Sequence, residues 1–221
     1  MIMKLQEEMD AYKKGMQAKA PKEVLEIMHR ATEAIKNSSM LEKTVKVGDR
    51  APAFSLENTS GDVISLANLL SKGPLVLAFY RGKWWPYCNL ELDALGKVAN
   101  KFSSLGASLV AISPQAVKFN RAIQEEKNLA FEILSDPGNK TAESYDIKYK
   151  MPEDLIKVYT QFGIDVAKHN GDDSWTLPLP VRLIIDPDGI IRDAEISADY
   201  TVRPEPEDTL EKLRKLVDQI H

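Results

Sequence analysis

Pro74-Leu75-Val76-Leu77-Ala78-Phe79-Tyr80-Arg81-Gly82-Lys83-Trp84-Trp85-Pro86-Tyr87-Cys88-Asn89-Leu90-Glu91 leads from an unbroken apolar run into the start of a helix. An apolar run without alternation is what a strand buried on both faces needs. Downstream, Leu92, Leu95, Val98, Phe102 and Leu105 recur at helical spacing, and Gly106 stops the pattern. Ala107–Ser113 is a second apolar run. A strand, a helix and a strand at these lengths form a crossover, which favours parallel pairing in a central sheet.

Further along, the spacing predicts a helix over Ala116–Lys127, a strand at Glu132–Ser135 closed by Asp136-Pro137-Gly138, and a short helix over Thr141–Tyr149. Residues 150–179 read as a long irregular stretch. Leu183-Ile184-Ile185 predicts a strand ended by Asp186-Pro187-Asp188-Gly189, with Ile190–Ile196 as its hairpin partner. Pro206 or a neighbour opens a final helix over Glu207–Ile220. Upstream, Phe54-Ser55-Leu56 and Val63-Ile64-Ser65-Leu66 flank a turn-rich cluster and read as a hairpin.

The first forty residues have a different texture. Ile2, Leu5, Met9, Tyr12 and Met16 mark one helical face; after Pro21, so do Val24, Leu25, Met28, Ala31 and Ile35, until Asn37-Ser38-Ser39. These stripes bury either against the main domain or against a second copy of the chain. The expected architecture is therefore α/β, a central mixed sheet flanked by helices. A helical extension at 1–43 precedes the domain at 44–221.

Composition narrows the function classes. Of 221 residues, 29 are Lys or Arg and 33 Asp or Glu, a net charge of −4 that offers no electrostatic footprint for nucleic acid or an anionic membrane. The longest apolar run, Leu75–Tyr80, falls far short of the roughly 20 residues of a membrane span. Met1–Asp10 lacks the apolar core of a secretory signal, so the cytoplasm is the expected compartment. Cys88 is the one cysteine, which leaves no intramolecular disulfide and no multi-cysteine metal site. His29, His169 and His221 are scattered, no glycine-rich nucleotide motif occurs, and no metal or other cofactor is expected.

Cys88 falls in the first turn of the helix after the apolar strand. Free amides and the positive dipole end there favour a thiolate, and Arg81 and Lys83 bring cationic charge to the same connection. The competing reading is a small buried apolar side chain. Trp84 and Tyr87 either wall a pocket or belong to the core. Glu91 either orients Arg81 or caps the helix start. His169 reads as an exposed loop residue, and Trp175 lies in the same irregular region.

This segment resembles the active-site loop of the alkyl hydroperoxide reductase/thiol-specific antioxidant family, the peroxiredoxins, which have a thioredoxin-like fold. The resemblance runs from about Val47 to His221. Val47–Leu56 is similar to the family's opening G-x-x-A-P-x-F-x-L, and Phe79-Tyr80, Cys88 and Glu91 match its spacing around the peroxidatic cysteine. Trp175, Leu177-Pro178-Leu179-Pro180, Ile185–Gly189 and Asp199-Tyr200-Thr201 resemble a bacterial subgroup. The resemblance implies that Cys88 attacks hydrogen peroxide or an organic hydroperoxide and becomes a sulfenic acid. It also implies an external thiol reductant, glutathione or a thioredoxin-like protein, because a second cysteine is missing, and it suggests a homodimer.

Two departures stand beside the resemblance. Where the family carries Thr or Ser, and the subgroup the first Cys of C-P-Y-C, this chain has Trp85, followed by Pro86. The family's active-site Arg position holds Pro180, which thioredoxin-like proteins would carry as a cis-proline; Arg182, two residues on, is the candidate replacement cation or a solvated strand-end charge. These departures leave an alternative, a redox-silent thioredoxin-fold protein with a binding or assembly role. A third reading is that Trp85 was introduced, by design or by a sequencing change, into a natural C-P-Y-C site of a two-thiol oxidoreductase or peroxidase.

Overall fold

The computed structural model describes residues 3–220; Ile2, His221 and the side chain of Ile220 lie outside that description. The chain begins with α1 (Leu5–Lys19), α2 (Lys22–Lys36) and the single turn α3 (Met40–Lys43). The hairpin β1 (Ser55–Asn58) and β2 (Val63–Ser65) leads through α4 (Leu66–Leu70) into β3 (Leu75–Phe79), α5 (Pro86–Ser104), β4 (Ser108–Ser113), α6 (Val117–Glu126) and β5 (Glu132–Ser135). A 3-10 turn then opens α7 (Lys140–Ser144), β6 (Lys148–Lys150), α8 (Glu153–Gln161), α9 (Val166–Asn170) and β7 (Thr176–Pro178). The hairpin β8 (Val181–Ile185) and β9 (Ile191–Ile196) and the helix α10 (Pro206–Ile220) complete the chain.

Seven strands form one sheet in the order β2-β1-β5-β4-β3-β8-β9, and β6 and β7 form a separate pair. β3–β4 and β4–β5 are parallel, while both edges are antiparallel, giving the expected mixed sheet. The period-two alternation of strand side chains divides the core. Val76, Ala78, Ala111 and Ile184 face α5 and the N-terminal helices, whereas Leu75, Leu77, Phe79, Ile112 and Leu183 face Phe54, Leu69 and Tyr145. No helix among the described residues is long and apolar enough to cross a membrane.

The N-terminal stripes bury against the rest of the chain. Leu5, Met9, Val24, Met28 and Ala31 join the core on the α5 side of the sheet, with α1 against α5 and α2 against α8. The first amides of a helix have no partners within it. In α1 the carboxylate of Glu205 supplies them, accepting from Leu5 N at 3.0 Å and Gln6 N at 2.9 Å.

Several local expectations need correction. Residues 150–179 hold α8, α9 and β7, all too short for periodicity to mark; α8 is held by burial of Leu155, Val158 and Tyr159. The helix expected over Thr141–Tyr149 ends at Ser144, because Asp146 adopts φ 54° and redirects the chain into β6. Leu66 leaves the predicted strand to begin α4, capped by the Ser65 side chain. The second N-terminal helix ends at Lys36, just before Asn37-Ser38-Ser39, and α3 follows it.

Candidate active site

The site lies where β3 hands over to α5. β3 pairs with β4 on one side and β8 on the other, so the connection after Phe79 leaves from the middle of the sheet. Behind it, Asn120 gathers the hydroxyls of Tyr80 at 2.7 Å and Ser113 at 2.9 Å and the amide of Gln115 at 2.9 Å. Gln115 in turn accepts Lys83 N at 3.0 Å. Gly82 sits at φ +149°, and a Cβ there would lie 2.5 Å from the Trp84 indole nitrogen. The turn therefore requires glycine.

Pro86 occupies the first position of α5, where its missing N–H costs nothing. Cys88 follows in the first turn with 0% exposure, and its Sγ accepts a hydrogen bond from Arg81 N at 3.4 Å. Burial pushes the thiol up from its ordinary range, against the opposing pulls of the Arg203 guanidinium and the Arg81 amide; Glu91 adds to the rise, and the Arg81 guanidinium opposes it. The expected depression of the thiol is thus not realised in this closed geometry. Cys88 N is already engaged by Trp85 O at 3.0 Å, and Lys83 carries its ammonium to Glu126 at the surface.

Glu91, one turn further along α5, contacts neither Arg81 nor the helix start. Its carboxylate is 3% exposed and binds Arg182 Nη2 at 2.6 Å and Arg203 Nε at 2.5 Å. Arg182 is buried, not solvated: it projects from β8 and also donates to Pro204 O at 2.9 Å. Arg203 donates to Tyr200 O at 2.9 Å and Val202 O at 2.8 Å. Sequence reasoning missed Arg203 because it lies in the aperiodic 197–205 segment; its signal was only its position just after Asp199-Tyr200-Thr201. Pro180 directly precedes β8, whose Val181 pairs with Phe79, so it flanks the same sheet end. No cis peptide bond occurs among the described residues, so the bond before Pro180, whose isomer the sequence leaves open, is trans.

Aromatic rings enclose the connection. Trp85 is 4% exposed; its ring stacks on Tyr159 at 5.4 Å and meets Tyr200 at 5.2 Å and Trp84 at 5.6 Å. Tyr87 packs edge-on to Tyr12 of α1 at 5.2 Å. The indole thus fills the place of a smaller side chain with core packing. His169 is not in an exposed loop; it is half-buried in α9 against Phe119, and burial and Lys83 lower its basicity. Trp175 packs partly buried on the same core, at φ 52°. Among the described residues, no group of three or more His, Cys, Asp and Glu side chains could hold a metal ion.

Comparison with known proteins agrees with this fold. Peroxiredoxin Bcp of Bacillus subtilis is 28% identical over 116 residues, 52% of this chain and 73% of that protein. The crystal structure of peroxidoxin BcpB from Mycobacterium tuberculosis superposes with a TM-score of 0.61 at 24% identity, covering 78% of this chain and 98% of that one. A yeast mitochondrial 1-Cys peroxiredoxin, studied for thiol resolution via glutathione/thioredoxin systems, gives 0.60 at 20% identity, covering 79% of this chain and 78% of that one. These likenesses share the thioredoxin-like fold. Residues 47–194, the span from the opening loop through the Cys88 junction to β9, match the AhpC/TSA family, and the chain belongs to that family.

Proposed function

We propose that this protein is a one-cysteine thiol peroxidase that reduces hydrogen peroxide or an organic hydroperoxide. One observation carries the reading: Cys88 Sγ sits in the first turn of α5, receiving the Arg81 amide, with the Arg203 and Arg81 guanidiniums working against the rise that burial gives its thiol. In the reaction, the Cys88 thiolate attacks one peroxide oxygen, an S–O bond forms and the O–O bond breaks. The departing oxygen takes a proton and leaves as water or alcohol, while sulfur is oxidised to sulfenic acid. Arg81 and Arg203 stabilise the charge, and Arg182 positions Glu91 and through it Arg203. Trp84, Trp85 and Tyr87 form the wall that must part to admit peroxide.

With Cys88 as the one cysteine, the sulfenic acid condenses with an external thiol, releasing water, and a second thiol frees the enzyme. Glutathione and a thioredoxin-like protein are the candidate reductants, in keeping with what is described for the yeast 1-Cys protein. A reducing cytoplasm suits this chemistry. Pairing of two copies is part of the proposal only as an expectation from the family.

Stopped-flow mixing of the reduced protein with peroxide tests the reading. The expected result is sulfenic acid at Cys88, formed faster than on free cysteine and absent in Cys88→Ser. One observation favours a second reading, a redox-silent binding or assembly protein: the sulfur is sealed and Trp85 fills the neighbouring position. Oxidation no faster than that of free cysteine would select this second reading.

A further inference from the structure

Gln115, in the connection between β4 and α6, is 0% exposed, and both ends of its amide are occupied. Oε1 accepts Lys83 N at 3.0 Å, while Nε2 donates to Asn120 Oδ1 at 2.9 Å and to Ser113 Oγ at 3.4 Å. The direction of this amide is fixed by its neighbours. Asn120 Nδ2 donates to Leu134 O at 3.4 Å and Ser135 Oγ at 2.9 Å, and a main-chain carbonyl can only accept. Asn120 therefore turns Oδ1 toward Gln115, which must answer with Nε2 and leave Oε1 for Lys83. Tyr80, whose phenol is pushed up by burial and stays protonated, donates to the same Asn120 Oδ1 at 2.7 Å. The ends of β3, β4 and β5 thus hold one side-chain amide in a single orientation.

That amide grips the turn that faces the sulfur. Arg81 N donates to Cys88 Sγ, Trp85 N donates to Gly82 O, and Lys83 O and Trp85 O accept from Asn89. Among the described residues, the hydrogen bonds of the 81–85 main chain stay within 81–89 except the one from Lys83 N to Gln115. Gly82, at φ +149°, has no side chain to brace the turn. We propose that Gln115 is a positioning residue for the Cys88 thiol, acting through Lys83 N to hold the Arg81 amide on Sγ. Its consequence for turnover rests on the peroxidase reading above.

The proposal has a definite sign. An N–H aimed at sulfur favours the thiolate, so losing it makes the thiol harder to ionise. Burial already holds this thiol up, and the Arg81 amide is among the groups that pull it down. A merely structural role gives the opposite direction, because a loosened site admits water and relieves burial.

Gln115→Met keeps the length of the side chain and removes both hydrogen bonds. Amide exchange on the full chain is the first test. In the unmodified protein the Lys83 amide should be protected. In Gln115→Met, exchange at Lys83 and Arg81 should quicken about tenfold, while Tyr80, whose N donates to Ile112 O at 3.0 Å, keeps its protection. The second test uses the one cysteine: protein grown on cysteine carrying carbon-13 at Cβ gives a single resonance to titrate. Its midpoint should move to higher pH in Gln115→Met, with about tenfold less thiolate at any pH below both midpoints. Gln115→Asn, too short to reach both partners, should act in the same direction and replaces Gln115→Met should that variant fail to fold. An unprotected Lys83 amide in the unmodified protein, unchanged Arg81 exchange in the folded variant, or a midpoint that stays or moves down overturns the proposal. Stopped-flow oxidation of the unmodified protein keeps the two questions apart: if peroxide is not reduced, the peroxidase reading fails and the amide and thiol results still decide the role of Gln115.

Discussion

Arg203 Nε lies 2.5 Å from Glu91 Oε2, joining two residues 112 positions apart inside the protein. Arg182 holds the other carboxylate oxygen, so one buried acid supports two buried bases. Removing one member of such a group costs more than the group contributes, because the rest remain charged and unpaired. Glu91→Gln should therefore destabilise the fold by roughly 3–5 kcal/mol, read from urea unfolding midpoints. A loss below about 1 kcal/mol, the worth of an exposed pair, would contradict the buried network.

Trp85→Ala should act on stability and reactivity together. Excising a buried indole from the cluster of Tyr159, Tyr200 and Trp84 costs about 3–5 kcal/mol. It also opens a path to Cys88. Labelling of the variant by an aromatic disulfide in native buffer should outpace the wild type; an unchanged rate would mean that Trp85 is not the cover.

The Cys88 thiol gives stability a pH dependence of defined sign. Its folded value lies above the ordinary 9.0, with burial as the main cause. Below the ordinary value both folded and unfolded chains hold the proton, and Cys88 adds no slope. Above it the unfolded chain gives up the proton first, so stability falls as pH rises until the folded thiol also ionises. Urea titrations between about pH 8 and 10 should show this fall, reduced in Cys88→Ser. A rise across that window attributable to Cys88 would mean a thiol depressed in the folded state.

Gly82→Ala should be more disruptive than an ordinary loop substitution. The residue needs φ +149°, and the new methyl would press on Trp84 and on Gln115 Oε1 at 2.9 Å. Backbone strain of this kind costs roughly 1–3 kcal/mol, and the cost should appear in the thermal midpoint. Cys88 labelling should change as well, since the turn that presents the Arg81 amide shifts with Gly82.

β3 and β4 were legible because they are buried and read as apolar runs, whereas β5 and β8, which carry Glu132 and Arg182, were legible from their short apolar cores and the Asp-Pro turns that close them. The Cys88 junction was legible for the same reason, since a buried strand must end somewhere and α5 has strong periodicity. By contrast, α9, β6 and β7 span five, three and three residues, less than one repeat of any useful window. Their conformation comes from tertiary contacts. The direction of the Cys88 shift was hidden because helix position and nearby cations can be read along the chain, whereas the depth of burial depends on which rings close over it. Arg203 and the true partners of Glu91 were hidden because ion pairs across 91 and 112 positions leave no local pattern.

Glu205→Gln tests the clamp on α1. The carboxylate binds both Leu5 N and Gln6 N, and losing such a cap costs about 1 kcal/mol. Hydrogen exchange should quicken at those two amides while amides in β3 and β4 keep their protection.

The same clamp sets an order of assembly during synthesis. The first helix leaves the ribosome early, but the acid that secures its leading turn is made some two hundred positions later. Until then its apolar stripe lacks its final anchorage, so a nascent chain stalled before Glu205 should remain open to protease in α1. The clamp is thus a late contact, joining α1 to the segment before α10.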